Sequence, residues 1–375
     1  MQITTMLQNK IYQNYFLEII KTFFIIVIGL SMIALTVRAV NFLELIVDNG
    51  YPVSTYFQFS FLNLFGIAPK FIPLAFMISI IIFIIKHYED SEFIILWTSG
   101  VKKIKLVNLI LLSSFIVLFI YLFLSTFLTP IALNKSRSLL SQDQLNSFLP
   151  TIRSKQFSDS FKGFTFIVDS KVNNEVENIF LHDTGANLKN FSSNASKISS
   201  TTIIAKKGVI DSRQMYLING QIILSRIKNI EVINFEQLNI SLNNLTTSTI
   251  KKPKLQELST LDLIRCFSKQ IKKSCDEEAK KEIIPNLIRR LILPFYIPVI
   301  SLLCSFLLIK NSVFLRDKFL IYSSSFLLLV FTELFIRYTG INYQLGITYI
   351  FLPFILLVIF YLTLIYKLKT AAKKI

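Results

Sequence analysis

Residues 104–128 read IKLVNLILLSSFIVLFIYLFLSTFL, an apolar stretch whose only charge is Lys105. As a helix rising ~1.5 Å per residue it reaches about 37 Å, enough to cross a hydrocarbon layer ~30 Å thick. Five further stretches share this character: Ile19 to Leu43, Phe61 to Ile85, Leu287 to Ile309, Phe319 to Ile336 and Ile347 to Tyr366. The pattern predicts an integral membrane α-helical protein with six transmembrane helices arranged 3+3. Composition agrees, because 53% of the 375 residues are hydrophobic, 17% are charged, 35 are Phe and the mean hydropathy is +0.56. Soluble domains carry about 25% charge.

The net charge of +17 takes its meaning from where it lies. One set of connections holds Lys10 and Lys21, then Lys86, Lys102, Lys103 and Lys105, then Lys310, Arg316 and Lys318, then Lys367, Lys369, Lys373 and Lys374. The opposite short loops hold only Arg38 and Arg337. Lys and Arg mark the cytoplasmic side, so both termini are expected inside. Basic residues spent on membrane flanks leave no reason to expect a nucleic-acid partner. The first 18 residues lack the pattern of a cleaved leader, so the first span is expected to stay in the mature chain. Leu7, Ile11, Tyr15 and Ile19 recur every four residues beside Lys10, which predicts a short interfacial helix ahead of that span.

Between Thr129 and Asn286 lie roughly 155 residues rich in Ser, Asn, Lys and Thr, a domain-sized segment expected to face outward. The boundaries are 1–129, 130–286 and 287–375. Seven short strands are predicted: Phe164 to Asp169, Asn178 to His182, Ser200 to Ala205, Met215 to Ile218, Gln221 to Ser225, Glu231 to Phe235 and Leu238 to Leu242. They suggest a sandwich or a jelly-roll-like inserted domain. Asp183-Thr-Gly185, Lys207-Gly208 and Asn219-Gly220 read as turns, the last as a two-residue hairpin because both residues accept positive φ. Ile131 to Ser147 and Thr260 to Lys281 read as flanking helices, the second opened by Ser259 with Asp262 three residues on. Cys266 and Cys275 on that helix would stand ~13 Å apart, so all three cysteines, Cys304 included, are expected to be free thiols.

Motifs for chemistry are missing. None of the ten glycines is followed by Lys, so the phosphate-cradling loop of an ATPase is not encoded. No G-x-S-x-G, H-E-x-x-H or G-x-G-x-x-G occurs, and the two histidines, His87 and His182, make no metal-ligand spacing with cysteine. Neither a catalytic residue nor a cofactor nor a metal is expected. The turn between spans two and three, residues 87–100, reads instead as an amphipathic helix with Glu89, Asp90 and Glu92 near its start and Gly100 as its stop. Phe93, Leu96 and Trp97 behind the acids offer a surface for another protein's groove or for lipid headgroups. At the outer boundary stand Arg38, Lys135, Arg137, Arg289, Arg290 and Arg337, suited to a lipid phosphate or to snorkelling anchorage. Glu333, one turn before Arg337, reads as its i,i+4 partner.

Three stretches carry a family likeness: DSEFIILWTSG from Asp90 to Gly100, IIAKKG from Ile203 to Gly208, and RRLILP from Arg289 to Pro294. In their order and spacing the chain resembles the LptF/LptG (YjgP/YjgQ) permeases of lipopolysaccharide export, leaning to LptF. It departs from the family at Asn286-Leu287-Ile288, where an acid and a histidine often stand. The resemblance implies a bacterial inner-membrane subunit whose outward domain is a periplasmic jelly roll continuing into a β bridge. It further implies a paralogous six-helix partner (LptG or LptF), a separate LptB-like ATPase dimer and an LptC-like protein. By that likeness the helix from Glu89 to Gly100 would couple to the ATPase, with Glu92 as its acidic contact. Arg38, Lys135, Arg137 and Arg337 would meet lipid A phosphates. The competing readings are a proton-driven secondary transporter, which would need carboxylates deep in several spans where only Glu333 stands, and a membrane-anchored assembly or sensor protein.

Overall fold

The computed structural model describes residues 10–47, 51–143, 154–161, 163–172, 174–184, 198–210, 214–226, 230–241, 254–267, 277–309 and 315–372. They divide into a helical unit, residues 1–36, 63–133 and 254–375, and a second unit, residues 37–62 and 134–253. The helices are α1 (Lys10–Phe42), α2 (Glu44–Val47), α3 (Val53–Glu89), α4 (Glu92–Thr98), α5 (Lys103–Phe123), α6 (Thr129–Asp143), α7 (Thr260–Phe267), α8 (Glu277–Leu291), α9 (Tyr296–Ser305), α10 (Leu315–Tyr338) and α11 (Tyr343–Ala372). Six helical stretches are long and apolar enough to cross a membrane: Lys10–Ile46, Val53–Glu89, Lys103–Leu140, Lys281–Leu308, Lys318–Tyr338 and Gln344–Thr370. Each coincides with one predicted span. The N-terminal segment differs from expectation among the described residues, because Lys10–Phe42 forms one unbroken helix, so that Ile11, Tyr15 and Ile19 of the expected interfacial helix are continuous with the span. Its inward stripe is Tyr12, Tyr15, Ile19 and Phe23, while Ile11 is exposed and Leu7 lies outside the described residues.

The helical core is built on α9. Its sequence, YIPVISLLCS, has no polar face, and every residue but Leu303 is buried. Such a helix must be surrounded; α5, α10 and α11 pack against it. Its serines turn inward on their own backbone, Ser301 donating to Pro298 O at 2.7 Å and Ser305 to Ser301 O at 2.8 Å.

Two prolines interrupt the neighbouring helices, and each break is repaired. Pro294 has no N–H to give to Arg290 O, and a 3₁₀ turn, Leu293–Phe295, separates α8 from α9. The freed Arg290 carbonyl accepts the Ser125 hydroxyl at 3.3 Å. Pro130 likewise leaves Thr126 O without its helical donor, beside a π-helical segment, Leu124–Leu128. That carbonyl accepts the Thr260 hydroxyl at 3.1 Å.

In the second unit β1 (Ser158–Phe161), β2 (Phe164–Ile167), β3 (Ser170–Val172), β4 (Glu175–Asp183), β5 (Ile198–Ile210), β6 (Gln214–Arg226) and β7 (Ile230–Ser241) form one antiparallel sheet in the order β1-β2-β4-β5-β6-β7, with β3 also on β4. Asn219-Gly220 is not a hairpin. It lies inside β6, whose two halves both pair with β5 and β7 in unchanged register, Ile218 with Lys207 and Gln237, Gly220 with Ala205 and Phe235. Lys207-Gly208 likewise lies inside β5.

What the positive φ provides is a crease. Asn219 (φ 55°) and Asn178 (φ 52°) sit in mid-strand, and across each of them the inward-facing set changes phase. Met215 and Leu217 are buried before Asn219, Ile222 and Leu224 after it; on β5 Ile203 and Ala205 give way to Gly208 and Ile210; on β4 Val176 gives way to Ile179 and Leu181. Alternation with period two would not allow this in an unbroken strand. The interval between β2 and β3 falls on the same line. Gly220 is required there because an added Cβ would stand 2.3 Å from Ile204 O and 3.0 Å from Ala205 Cα.

Flanking elements follow the sequence in part. Ser259 Oγ receives the Asp262 N–H at 3.1 Å and bonds its carboxylate at 2.5 Å, the expected start of α7. That helix is described over Thr260–Phe267, and residues 268–276 of the expected helix lie outside the described residues. Cys266 is disulfide-bonded, a correction to the expected free thiol, and Cys304 is free and buried. Cys275 and residues 144–147 lie outside the described residues.

Gly220→Ala is expected to destabilise the sheet by about 1–3 kcal/mol, because backbone rather than a side chain must move. Gly29→Ala, with nothing within 4 Å of its added Cβ, should leave stability unchanged or slightly raised. Thermal unfolding with hydrogen exchange across β5 to β7 in the full chain checks the pair; equal behaviour would refute the close-approach account.

Candidate functional site

The turn between the second and third spans is built from a helix break. α3 runs through His87 to Glu89, so the expected helix over 87–100 is shorter: Ser91 takes φ 59°, and α4 covers Glu92–Thr98. Its end is as expected. Gly100 at φ 88° lets its N–H reach Trp97 O at 3.1 Å and the Val101 N–H reach Leu96 O at 3.2 Å, the paired closure that terminates a helix on a left-handed residue. A side chain at Gly100 would meet no atom within 4 Å, so the requirement is conformational alone.

Which face of α4 looks outward differs from expectation. Phe93 (0% exposed) and Leu96 (7%) point into the chain's own core, and Trp97 is half-buried under the Lys103 ammonium, 4.0 Å above its ring. The outward residues are Ile94 (47%) and Ile95 (66%). Phe93 and Leu96 therefore hold the helix in place, and the exposed isoleucines are its free apolar surface. Asp90 is exposed. Glu89 reaches the Lys318 ammonium of α10 at 3.5 Å.

Glu92 is already engaged inside the chain. Its Oε2 lies 3.3 Å from His87 Nε2, and the Tyr15 hydroxyl donates to it at 3.5 Å. The same His87 nitrogen lies 3.3 Å from Glu18 Oε2, whose other oxygen pairs with Lys86 at 2.6 Å. Two carboxylates thus meet one ammonium and one imidazole. His87 Nδ1 faces Phe83 O at 2.9 Å, and the ring stacks on Phe93 with centroids 5.3 Å apart. From the sequence Tyr15 reads only as part of an interfacial stripe, Lys86 as a cytoplasmic cation and His87 as the first residue of the turn, and Glu18 carries no assigned role. The available sign was the Tyr15/Glu18 spacing on the first helix, which puts both on one face.

The basic residues fall into two groups. Arg38, Lys135 and Arg137 belong to the unit that carries the sheet; Arg289, Arg290 and Arg337 belong to the helical unit. Arg38 and Lys135 are exposed and Arg137 is half-buried. Arg337 is exposed, and Glu333 does not pair with it as expected; the Glu333 carboxylate takes Arg289 Nη2 at 3.0 Å instead. Arg290 is buried and encased: Nη1 donates to Leu258 O (2.9 Å) and Thr260 Oγ1 (3.1 Å), Nη2 to Leu255 O (3.1 Å) and Gln256 O (3.0 Å). Arg289 and Arg290 border a cleft with Tyr121, Ser125 and Asn286. Arg290 thus ties residues 254–260 to α8, and Arg289 ties α8 to α10 through Glu333.

Arg290→Met should be strongly destabilising. Four acceptors lose their donors, and a buried group left unpaired costs about 1–3 kcal/mol. Thermal unfolding of the full chain in detergent, read with exchange at residues 254–260, would show it; an unchanged melting temperature would refute the structural role.

A family model described as lipopolysaccharide export system permease LptF/LptG matches residues 15–367. No individually curated protein matches the sequence. With six apolar helices, an antiparallel sheet inserted in their midst and a match over nearly its whole length, the chain belongs to the LptF/LptG family of lipopolysaccharide export permeases.

Proposed function

We propose that this permease subunit works in an ATP-driven exporter whose nucleotide-binding subunit is a separate protein docking on α4. The observation that carries the reading is the α4 surface. Ile94 and Ile95 stand exposed beside Glu92 at the end of a rigid turn, in a chain without a phosphate-binding loop. Burial of acyl chains contributes ~0.8 kcal/mol per methylene, so extracting such a lipid from a bilayer needs an external energy source. On this reading the termini and the α4 turn face the cytoplasm and the sheet faces the periplasm, as the Lys and Arg distribution favours.

Lipid would leave along the sheet, a jelly-roll-like element continued by an LptC-like protein into a β bridge. Strand β7 supports this: it ends the strand order on one side, and Ile230, Val232 and Ile233 are exposed along it. An apolar edge without a further strand among the described residues invites another. Pairing of two six-helix halves, this chain with its paralogue, is favoured by α1, α10 and α11, whose apolar spans are mostly uncovered. Arg38, Lys135, Arg137 and Arg337 are the cations proposed to meet lipid A phosphates, and among the described residues Arg38, Lys135 and Arg337 make no ion pair.

Ile95→Asp is expected to abolish co-purification of the ATPase while leaving the melting temperature unchanged. Phe93→Ala should lower that temperature, since removing a buried Phe costs about 3–5 kcal/mol. Retained ATPase with Ile95→Asp would argue against docking there. Arg38→Gln combined with Lys135→Gln should lower lipopolysaccharide-stimulated ATP hydrolysis about tenfold, given charge-assisted bonds of ~1.5–3 kcal/mol. Unchanged stimulation would make them simple anchors.

A further inference from the structure

We infer that His87 is a positioning residue that locks the first span to α4, so that a displacement of α4 is delivered to α1. The inference rests on the proposed docking role of α4 and goes beyond it by naming the transmission.

The case starts from how little else holds α1. Beyond Phe23 its only buried residue is Ser31, and most of its apolar length is uncovered. Its hold on the helical unit is its first turns: Tyr12, Tyr15, Ile19 and Phe23 pack inward, and the Ser79 hydroxyl of α3 donates to Ile19 O at 2.8 Å. At that same end Glu18 of α1 meets Glu92 of α4 through one imidazole from α3, and the Tyr15 hydroxyl of α1 donates to Glu92 directly. Nothing else described in the chain bonds α1 side chains to α4.

The geometry is that of a clamp. His87 is 3% exposed in its side chain, whereas Glu18 and Glu92 are 31% and 47% exposed. The imidazole between the two carboxylates is buried while both carboxylates reach solvent. Both ring nitrogens face acceptors, Nδ1 the Phe83 carbonyl and Nε2 the two carboxylates. The doubly protonated ring is the form that donates on both sides. Its Nε2–H then lies between a carboxylate of each helix, Glu18 and Glu92; without it two acceptors face each other with no donor between them. Aromatic packing closes the space around the ring, with Tyr15 edge-on at 4.8 Å and Phe93 stacked. A helix held by one end through a packed, hydrogen-bonded joint moves with that joint, because such contacts have discrete arrangements rather than a continuous range.

Two substitutions separate bonding from packing. His87→Phe keeps an aromatic ring between Tyr15 and Phe93 and removes both donors. His87→Gln discards the ring and keeps an N–H₂ close to the position of Nε2. If the clamp transmits, His87→Phe should speed hydrogen exchange together in residues 11–18 and 92–98 of the full chain in nanodiscs, and His87→Gln should restore protection. In the assembled exporter, His87→Phe should lower lipopolysaccharide released per ATP hydrolysed about fivefold or more, with ATPase co-purification unchanged. The reverse order, Phe tolerated and Gln not, would make His87 an ordinary packing residue and overturn the inference. So would loosening of one segment without the other. Exchange is measured on the chain alone, so it decides the clamp even if no ATPase binds, an outcome that would instead defeat the docking proposal.

Discussion

A helix in hydrocarbon has no water to satisfy its backbone, so every break must hand its freed carbonyls to another donor. The helical unit is arranged around that demand. Pro294 frees Arg290 O and Ser125 supplies the hydroxyl; Pro130 leaves Thr126 O and Thr260 supplies another. Thr260 is held in turn by the Arg290 guanidinium, which also gathers Leu255, Gln256 and Leu258. The tyrosine of the same face, Tyr121, donates to Arg289 O at 3.2 Å. The re-entry of the chain from the inserted sheet into α8 is thereby fixed by side chains on both sides of each proline, and α9 is left to fill the centre.

The same economy governs α4. Seven residues cannot make a stable helix alone, so it is held by Phe93 and Leu96 from beneath, by the Gly100 closure at one end and by His87 and Tyr15 at the other. What remains outward is small: two isoleucines and the exposed edge of Glu92. A surface that is both apolar and rigidly backed can take a load, and the joint beneath it is where a load would pass to the first span.

Elements set by strong local chemistry were legible in the sequence. The six spans, the Gly100 stop and the Ser259/Asp262 start follow from apolar run length, left-handed φ and a short polar side chain, all local properties. Asn219-Gly220 shows the limit. Positive φ is readable from the residue types, but a hairpin and a crease demand the same φ, and only pairing with β5 and β7 distinguishes them. The inward turn of Phe93 and Leu96 was hidden for a similar reason: helical periodicity defines an apolar face without saying whether the chain's own core or a partner covers it. Arg289 and Arg290 were read beside Arg337 as outer cations, yet their partners lie 30 to 44 residues away in sequence, at Leu255 to Thr260 and Glu333. The network around His87 joins three helices, and its one local sign is the Tyr15/Glu18 spacing on the first.

The central claim is that energy enters this permease through the outward face of α4. A photocrosslinking amino acid placed at Ile95, and separately at Phe93, in the native membrane tests it directly. The account predicts a crosslink from Ile95 to a nucleotide-binding subunit, identified by mass spectrometry, and none from Phe93. A crosslink from Phe93, or from neither position while transport proceeds, would contradict it.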